Sequence, residues 1–523
     1  MVILFVAAVR IRLLELPLER DEGEFAYAGQ LLLRGVPPYQ LAYNMKLPGT
    51  DAAYALIMAV FGQSTAAIHL GLVLLNAATI VLVFLLAKRL MDDIGAVIAA
   101  ATFALLSVGP SVLGNAAHAT HFVLLPALMG FLVLLRALEH KERWTLFTAG
   151  LLFGLAFLMK QPGVFFGIFG GVYLVYHEAR GCSHWPWRSL TAKCALFSLG
   201  AALPFASLCL LLYLAGDFDA FWFWTFSYAR ERATMVPLEK AFQNFLTGFE
   251  RVTSGGYLLW IVAGLGTIEL LRRWRTWPKA MFMAGLIVFS FLAICPGFDF
   301  RVQYFIVLLP AAGIAAGLVV SSAQDWFSKT KPALCFVPVA VFAAAWGGSV
   351  FQQRALLLQL PPARVCRVMY EANPFPEAVE IARYIKAHST RDETITVLGS
   401  EAEIYFYADR RSATGYIYIY ALTEPQPYAL QMQRQMIHEI ETAKPAYVVL
   451  VSVVTSWNPI SESSQLIFDW FNRYSQANLE LVGVINILSP TQTEYYWKTE
   501  GRTLPPPSDV FLEVFKRKSA SGS

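Results

Sequence analysis

The chain has 523 residues, 56% of them hydrophobic and only 15% charged, with a formal net charge of +4. That balance excludes an ordinary soluble globule and marks an integral membrane protein. The positive charge is spread along loops, so nothing in it argues for nucleic acid, and the 14% of aromatic residues fits lipid-facing helices and interfacial belts. Cys182, Cys194, Cys209, Cys295, Cys335 and Cys366 form no CxxC pair and no metal-ligand spacing, which speaks against a disulfide framework.

Apolar runs of spanning length predict about eleven transmembrane helices, near residues 1–17, 65–87, 94–110, 120–138, 144–160, 162–178, 190–214, 252–271, 279–295, 303–321 and 332–350. The first lacks the basic region and cleavage site of a signal peptide and reads as a retained helix. It is short, and Arg10 and Arg12 shorten its apolar part further, which leaves the true start of the chain open. Alternate loops carry Lys88 and Arg89; Arg136, Lys141 and Arg143; Arg180 and Arg188; Arg272, Arg273, Arg275 and Lys279; Lys329 and Lys331. The positive-inside rule puts these in the cytoplasm. Loops 18–64, 111–119, 215–251 and 296–302, and everything after 350, are then external. With nothing resembling an ER retrieval signal, the expected location is a bacterial inner membrane, with the site and the C-terminal part on the periplasmic side.

The first external loop sets Asp21, Glu22 and Glu24 just beyond the first apolar segment. A carboxylate at the bilayer centre costs roughly 2.5–3.5 kcal/mol on insertion scales, so these acids belong at a membrane surface or in a wet cavity. Residues 22–34 predict a helix on the membrane surface, ended by Gly35 and by Pro37-Pro38. After Lys46-Leu47-Pro48-Gly49, residues 51–61 form a second apolar stretch too short to span. Acids, two interfacial helices and a lysine in one loop read as a site rather than a connector; a solvated acidic loop without chemistry is the competing reading.

Other external pieces supply candidates for the same cavity. Asn115, His118 and His121 cluster between two apolar helices, and two histidines three residues apart share a helix face that a nearby carboxylate would complete as a Zn²⁺ site. Helix-end residues satisfied by water or backbone are the alternative. Lys160 closes the fifth helix externally, where it either pairs with a lipid phosphate or snorkels. Loop 215–251 combines Phe218, Phe221, Trp222, Phe223, Trp224 and Phe226 with Arg230, Glu231 and Arg232, as an interfacial belt or as a platform over a lipid entrance. Arg301, at a helix start, needs an anion, either a substrate phosphate or Asp299.

Composition changes near 351, which divides the chain into a membrane domain (1–350) and a small α/β domain (351–523). Helices are expected at 376–389, 427–443 and 463–475 and strands at 394–398, 446–452 and 479–485, with a disordered tail from Lys516 to Ser523.

Asp21-Glu22, the run Leu31 to Tyr39, Lys46-Leu47-Pro48 and Phe61-Gly62-Gln63-Ser64, followed by Gly154 to Lys160 and Arg301 to Pro310, resembles the dolichyl-phosphate-mannose protein mannosyltransferase and aminoarabinose-transferase group of GT-C glycosyltransferases. The likeness covers residues 1 to about 320. The chain departs from that group where an Asp is usual in the second external loop, here Asn115, His118 and His121, and where Lys-Pro-Pro is Lys46-Leu47-Pro48. The resemblance implies a polytopic α-helical GT-C fold and inverting transfer of a hexosyl or pentosyl group from a polyprenyl-phosphate donor to a hydroxyl on a lipid, glycan or protein. A phosphate leaving group needs charge stabilisation rather than a general acid, which Lys46, Lys160 and Arg301, with Tyr304, would supply. Asp21 would be the base, and Glu22 would orient Asp21 or the acceptor. Glu24, Asn115, His118 and His121 would line the acceptor side of the cavity. No cofactor is required, and a divalent metal stays open. The rivals are a lipid-linked sugar transporter or flippase, against which the absence of internal repeats counts, and an assembly partner whose C-terminal domain binds proteins.

Overall fold

The computed structural model describes residues 1–140, 142–180, 187–459, 463–499 and 503–518. The first loop folds as its punctuation dictates. The helix Arg20–Leu33 is started by a reciprocal cap, in which Glu19 accepts from the Glu22 N–H at 3.0 Å and Glu22 accepts from the Glu19 N–H at 3.2 Å. It ends before Gly35, whose φ of +74° suits glycine. Helix Gly49–Phe61 follows Pro48.

In chain order the first helices are α1 (Val2–Arg12), α2 (Arg20–Leu33), α3 (Gly49–Phe61), α4 (Thr65–Leu90), α5 (Asp93–Val108), α6 (Ala119–His140), α7 (Arg143–Met159), α8 (Val164–Ala179) and α9 (Trp187–Ala215). Further apolar helices are Tyr257–Arg272, Ala280–Leu292, Leu309–Thr330 and Val337–Gln352. All eleven expected stretches are therefore helical, but their lengths differ from expectation. Among the described residues, five helices are long and apolar enough to cross a membrane alone: α4, α6, α9, Val302–Thr330 and Pro332–Gln352. Leu238–Ser254 and Tyr257–Arg272, bent by 115° at their junction, make a sixth if counted together. The others stop early because irregular backbone interrupts them: α5 ends at extended Gly109 and α7 at extended Lys160, each followed by a 3-10 turn. Small residues bring the bundle together. A Cβ on Gly150 of α7 would lie 2.0 Å from the Phe197 carbonyl, and one on Gly200 of α9 would lie 2.1 Å from that of Phe147, so the two backbones touch.

The C-terminal part is a six-stranded sheet of β1 (Thr394–Leu398), β2 (Arg411–Ser412), β3 (Tyr447–Ser452), β4 (Leu479–Ser489), β5 (Gln492–Trp497) and β6 (Phe511–Arg517), in the order β2-β1-β3-β6-β4-β5. β1 pairs with β2 and β3 in parallel, and β6 runs antiparallel between β3 and β4. The tail expectation is corrected here. Lys516 and Arg517 belong to β6, which fills the sheet centre because Leu512 and Val514 alternate into the core with no exposed surface. Residues 519–523 lie outside the described residues.

The two parts share a core. Phe25, Tyr54, Ile68 and Phe122 belong to one apolar cluster with Ile381, Ile395, Val449 and Val514. A Cβ on Gly23 would sit 2.5 Å from the Glu403 backbone N, the Tyr27 ring lies 5.1 Å from Tyr405, and the Tyr27 hydroxyl accepts from the Ser412 N–H at 2.7 Å. Arg20 pairs with the fully buried Glu401 at 2.8 Å. Composition shifts near 350, but packing runs across that position.

Candidate active site

Helical spacing puts Asp21 and Glu24 on one face of α2 and Glu22 on another. Lys46 reaches them from the turn before α3, which is held by the Asn44 side chain accepting from the Lys46 N–H at 2.8 Å. Its ammonium stands 2.9 Å from Asp21 Oδ1, 2.5 Å from Glu24 Oε2 and 4.5 Å from the centre of the Phe25 ring. These groups form one wall of a cavity of about 290 Å³. The link after α7 adds Lys160, the loop before Val302 adds Arg301 with Tyr304 beyond it, and the C-terminal part adds Tyr418, Tyr420 and Glu424. Lys160 Nζ lies 3.8 Å from the centre of the Tyr304 ring.

The cations of this cavity divide into two kinds. Lys46 is held by two carboxylates, and Arg232 by Asp299 at 3.0 Å and Glu424 at 2.8 Å. Lys160 and Arg301 have no carboxylate within 4.0 Å among the described residues. Asp299, expected as one of two partners for Arg301, is committed to Arg232 instead.

Burial favours the neutral form of every group here, and the neighbours decide what remains. Burial alone would raise the Asp21 carboxyl, but Lys46, with His118 and Arg301 adding, holds it well below the usual carboxylate range. Burial works against the Lys46 ammonium as well, and Asp21 and Glu24 more than offset it. Lys160 lies beyond the end of α7; burial, with Lys46 and Arg301 nearby, brings it down to about 7 against the pull of Asp21.

The remaining expected residues fall elsewhere. Glu22 does not line the cavity: it is fully buried behind α2, with Oε1 facing His69 Nε2 at 3.0 Å and accepting from the Ala117 N–H at 2.6 Å. Asn115 donates to the Val108 carbonyl, and neither it nor His121 is among the lining residues. The sequence argument put them there because they share a loop with His118, but the turn at Leu113 to Ala117 directs them into the bundle. His118 is not a lining residue either, but it stands behind Asp21, with Nδ1 3.5 Å from Glu19 and 3.9 Å from Asp21. Glu19, Asp21 and His118 can bring one ligand atom each within 4.8 Å of one another, and neither ring nitrogen of His118 has a hydrogen-bond partner. That donor set fits a divalent metal; the expected two-histidine version does not form.

Sequence reasoning missed Glu19, Tyr418, Tyr420 and Glu424, whereas Arg232, named there with the aromatic loop 215–251, does line the cavity. Glu19 looks like a capping residue, which it also is. The run Tyr416-Ile417-Tyr418-Ile419-Tyr420 carried a partial signal for the C-terminal contribution, since Tyr418 and Tyr420 alternate with the fully buried Ile417 and Ile419, although Tyr416 is buried as well.

A helical membrane bundle, a short acid-bearing helix packed between the two parts, and a C-terminal α/β layer close on one charged cavity. Residues 46–204 match the family model for dolichyl-phosphate-mannose-protein mannosyltransferase. The crystal structure of ArnT from Cupriavidus metallidurans bound to undecaprenyl phosphate is similar with a TM-score of 0.59 at 15% identity, over 99% of this chain and 98% of that one. The apo state of the same protein gives 0.56 at 16%, over 98% and 97%. AglB, the oligosaccharyltransferase of Archaeoglobus fulgidus, in complex with an inhibitory peptide and a dolichol-phosphate, gives 0.50 at 12%, over 96% and 74%. No curated protein sequence matches the chain. The resemblance to GT-C glycosyltransferases of the protein mannosyltransferase and ArnT type therefore holds, at identities where the structural likeness is one of fold. The family match begins at Lys46 and leaves α2 outside it.

Proposed function

We propose that the chain moves a sugar from a polyprenyl-phosphate donor to a hydroxyl acceptor, with inversion, at the outer face of the membrane. The observation that carries this reading is the opposition, in one cavity, of the Asp21 carboxylate and two cations without carboxylate partners, Lys160 and Arg301. The ArnT structure holds undecaprenyl phosphate and that of AglB a dolichol-phosphate, which supports a lipid phosphate as the ligand of such a cavity.

The donor phosphate sits against Lys160 and Arg301, with the Tyr304 ring holding Lys160 in place. The acceptor oxygen attacks the anomeric carbon as its proton passes to Asp21; the bond from that carbon to the phosphate oxygen breaks, and polyprenyl phosphate leaves with the bonding pair. The leaving charge is met by cations already in place and needs no acid. A carboxylate tied to Lys46 is a weak base, so the incoming phosphate must also draw the Lys46 ammonium toward itself and loosen its hold on Asp21. Glu24 then keeps Lys46 in the cavity. Glu22 acts from behind, fixing the start of α2 through His69 and Ala117, and so aims Asp21. A divalent ion held by Glu19, Asp21 and His118 would add positive charge near the acceptor oxygen. Residues 351–523 share the external side with the cavity they help to close.

The test is release of free polyprenyl phosphate from a labelled undecaprenyl-phosphate sugar by the full-length protein in lipid nanodiscs. Asp21→Asn should lower the rate at least about 100-fold, the usual share of a general base, while membrane insertion and folding persist. Full activity in that variant removes Asp21 from the mechanism. Movement of the intact donor across the bilayer without release favours the flippase.

A further inference from the structure

Three polar side chains reach the cavity from the C-terminal part, beside Ala421, and two of the three are engaged. The Tyr420 hydroxyl accepts from Arg20 Nη1 at 3.0 Å and donates to the Thr455 carbonyl at 2.5 Å. Glu424 accepts from the Tyr228 hydroxyl at 2.7 Å and pairs with Arg232. The Tyr418 hydroxyl has no hydrogen bond among the described residues, although the cavity it lines also holds Asp21, Lys46 and Arg301.

Its backbone is nevertheless fixed. Ile417 and Ile419 on either side are fully buried, the Ile419 N–H donates to Ser400 Oγ at 3.1 Å, and the Gly415 carbonyl accepts from the Tyr43 N–H at 2.7 Å. The Tyr418 ring packs edge-on against Tyr420, with 4.8 Å between centroids, and its centroid is 5.5 Å from Lys46 Nζ. Asp21 and Arg301 both act on it electrostatically, from the base and from the phosphate cations respectively. A phenol that is held rigidly, is half-buried, lines a cavity and has no hydrogen-bond partner among the described residues is organised for a ligand that enters that cavity.

We propose that Tyr418 is a substrate-contacting residue: its hydroxyl donates a hydrogen bond to a non-bridging phosphate oxygen of the lipid-linked donor, between Lys46 and Arg301. The C-terminal part thereby supplies a ligand contact to a site built otherwise on the membrane part. This assignment rests on the reading of the cavity as a polyprenyl-phosphate site.

The experiment compares the full-length protein with Tyr418→Phe and Tyr416→Phe for binding of undecaprenyl phosphate in nanodiscs and for KM and kcat with the undecaprenyl-phosphate sugar. Tyr416 is the control, because its hydroxyl bonds to Gln435 at 3.0 Å and it is not a lining residue. Loss of one hydrogen bond to a charged group should weaken undecaprenyl-phosphate binding and raise KM about tenfold in Tyr418→Phe, with a smaller change in kcat and an unchanged Tm. Tyr416→Phe should bind as the parent does. Equal binding by Tyr418→Phe and the parent overturns the Tyr418 assignment and leaves the transfer reading standing. A parent protein that neither binds undecaprenyl phosphate nor releases it overturns both.

Discussion

Lys46 and Lys160 bring the same ammonium into one cavity and meet opposite fates. Two carboxylates hold Lys46 charged, whereas burial and the cations at Lys46 and Arg301 bring Lys160 to about 7, far below the 10.5 of a free lysine. Because the folded value lies below the unfolded one, folding releases a proton between them; the cost to stability is full below about pH 7 and vanishes above the unfolded value. An anion bound at Lys160 reverses the shift and takes the proton back. The donor is a phosphodiester whose own charge is constant across this range, so its binding reports the lysine. Donor affinity should fall about fiftyfold between pH 7 and pH 9, as the protonated share of Lys160 in the free protein drops, with proton uptake seen in calorimetry in buffers of differing ionisation enthalpy. Lys160→Arg should remove that dependence, since a guanidinium stays charged throughout. A flat profile in the parent protein would place the phosphate elsewhere.

At the scale of the element, α2 is the part the sequence described best and the part whose surroundings it described least. Gly35 and the prolines after it end the helix as expected, and the acids sit at its start. What it packs against was not legible, because Glu403 is almost four hundred residues away and nothing local to Gly23 announces it. The same reason hid β6: no strand was expected at Phe511 to Arg517, and Lys516 and Arg517 read as the start of a tail until β3 and β4 are on either side of them. Tyr418 is a third case, a pattern visible in sequence whose cavity is built by other segments. The close approach at Gly23 makes a direct prediction. In Gly23→Ala the new methyl meets the Glu403 backbone, which cannot rotate away, so α2 must shift. Overpacking of this kind costs about 1–3 kcal/mol. Tm should drop, and activity should fall further than the loss of folded protein explains because Asp21 moves with α2; an unchanged Tm would mean that the two surfaces are less tightly joined.

At the scale of the whole molecule, the change in composition near 350 and the packing across it point in different directions. Charged residues return after the last apolar helix, as for an independent soluble domain, yet Phe25 and Tyr54 lie in one apolar cluster with Ile381, Ile395 and Val514. Arg20 and Glu401 form a buried ion pair across the same junction, and breaking such a pair by removing one partner costs about 3–5 kcal/mol. α2 packs on the helix Glu403–Ala408 of the α/β part, and α3 packs on α2 in turn. The first loop and the C-terminal sheet should therefore unfold as one unit. In detergent, loss of Asp21-helix protection in hydrogen exchange should coincide with loss of β1 and β3, and a chain ended at residue 350 should insert into the membrane but bind no undecaprenyl phosphate. Exchange of the sheet at temperatures where α2 stays protected, or donor binding by the shortened chain, would mean that the C-terminal part only covers a cavity the membrane part forms by itself. The unpartnered Tyr418 hydroxyl and the buried Arg20–Glu401 pair argue for joint construction, because each would be idle or costly in a mere cover.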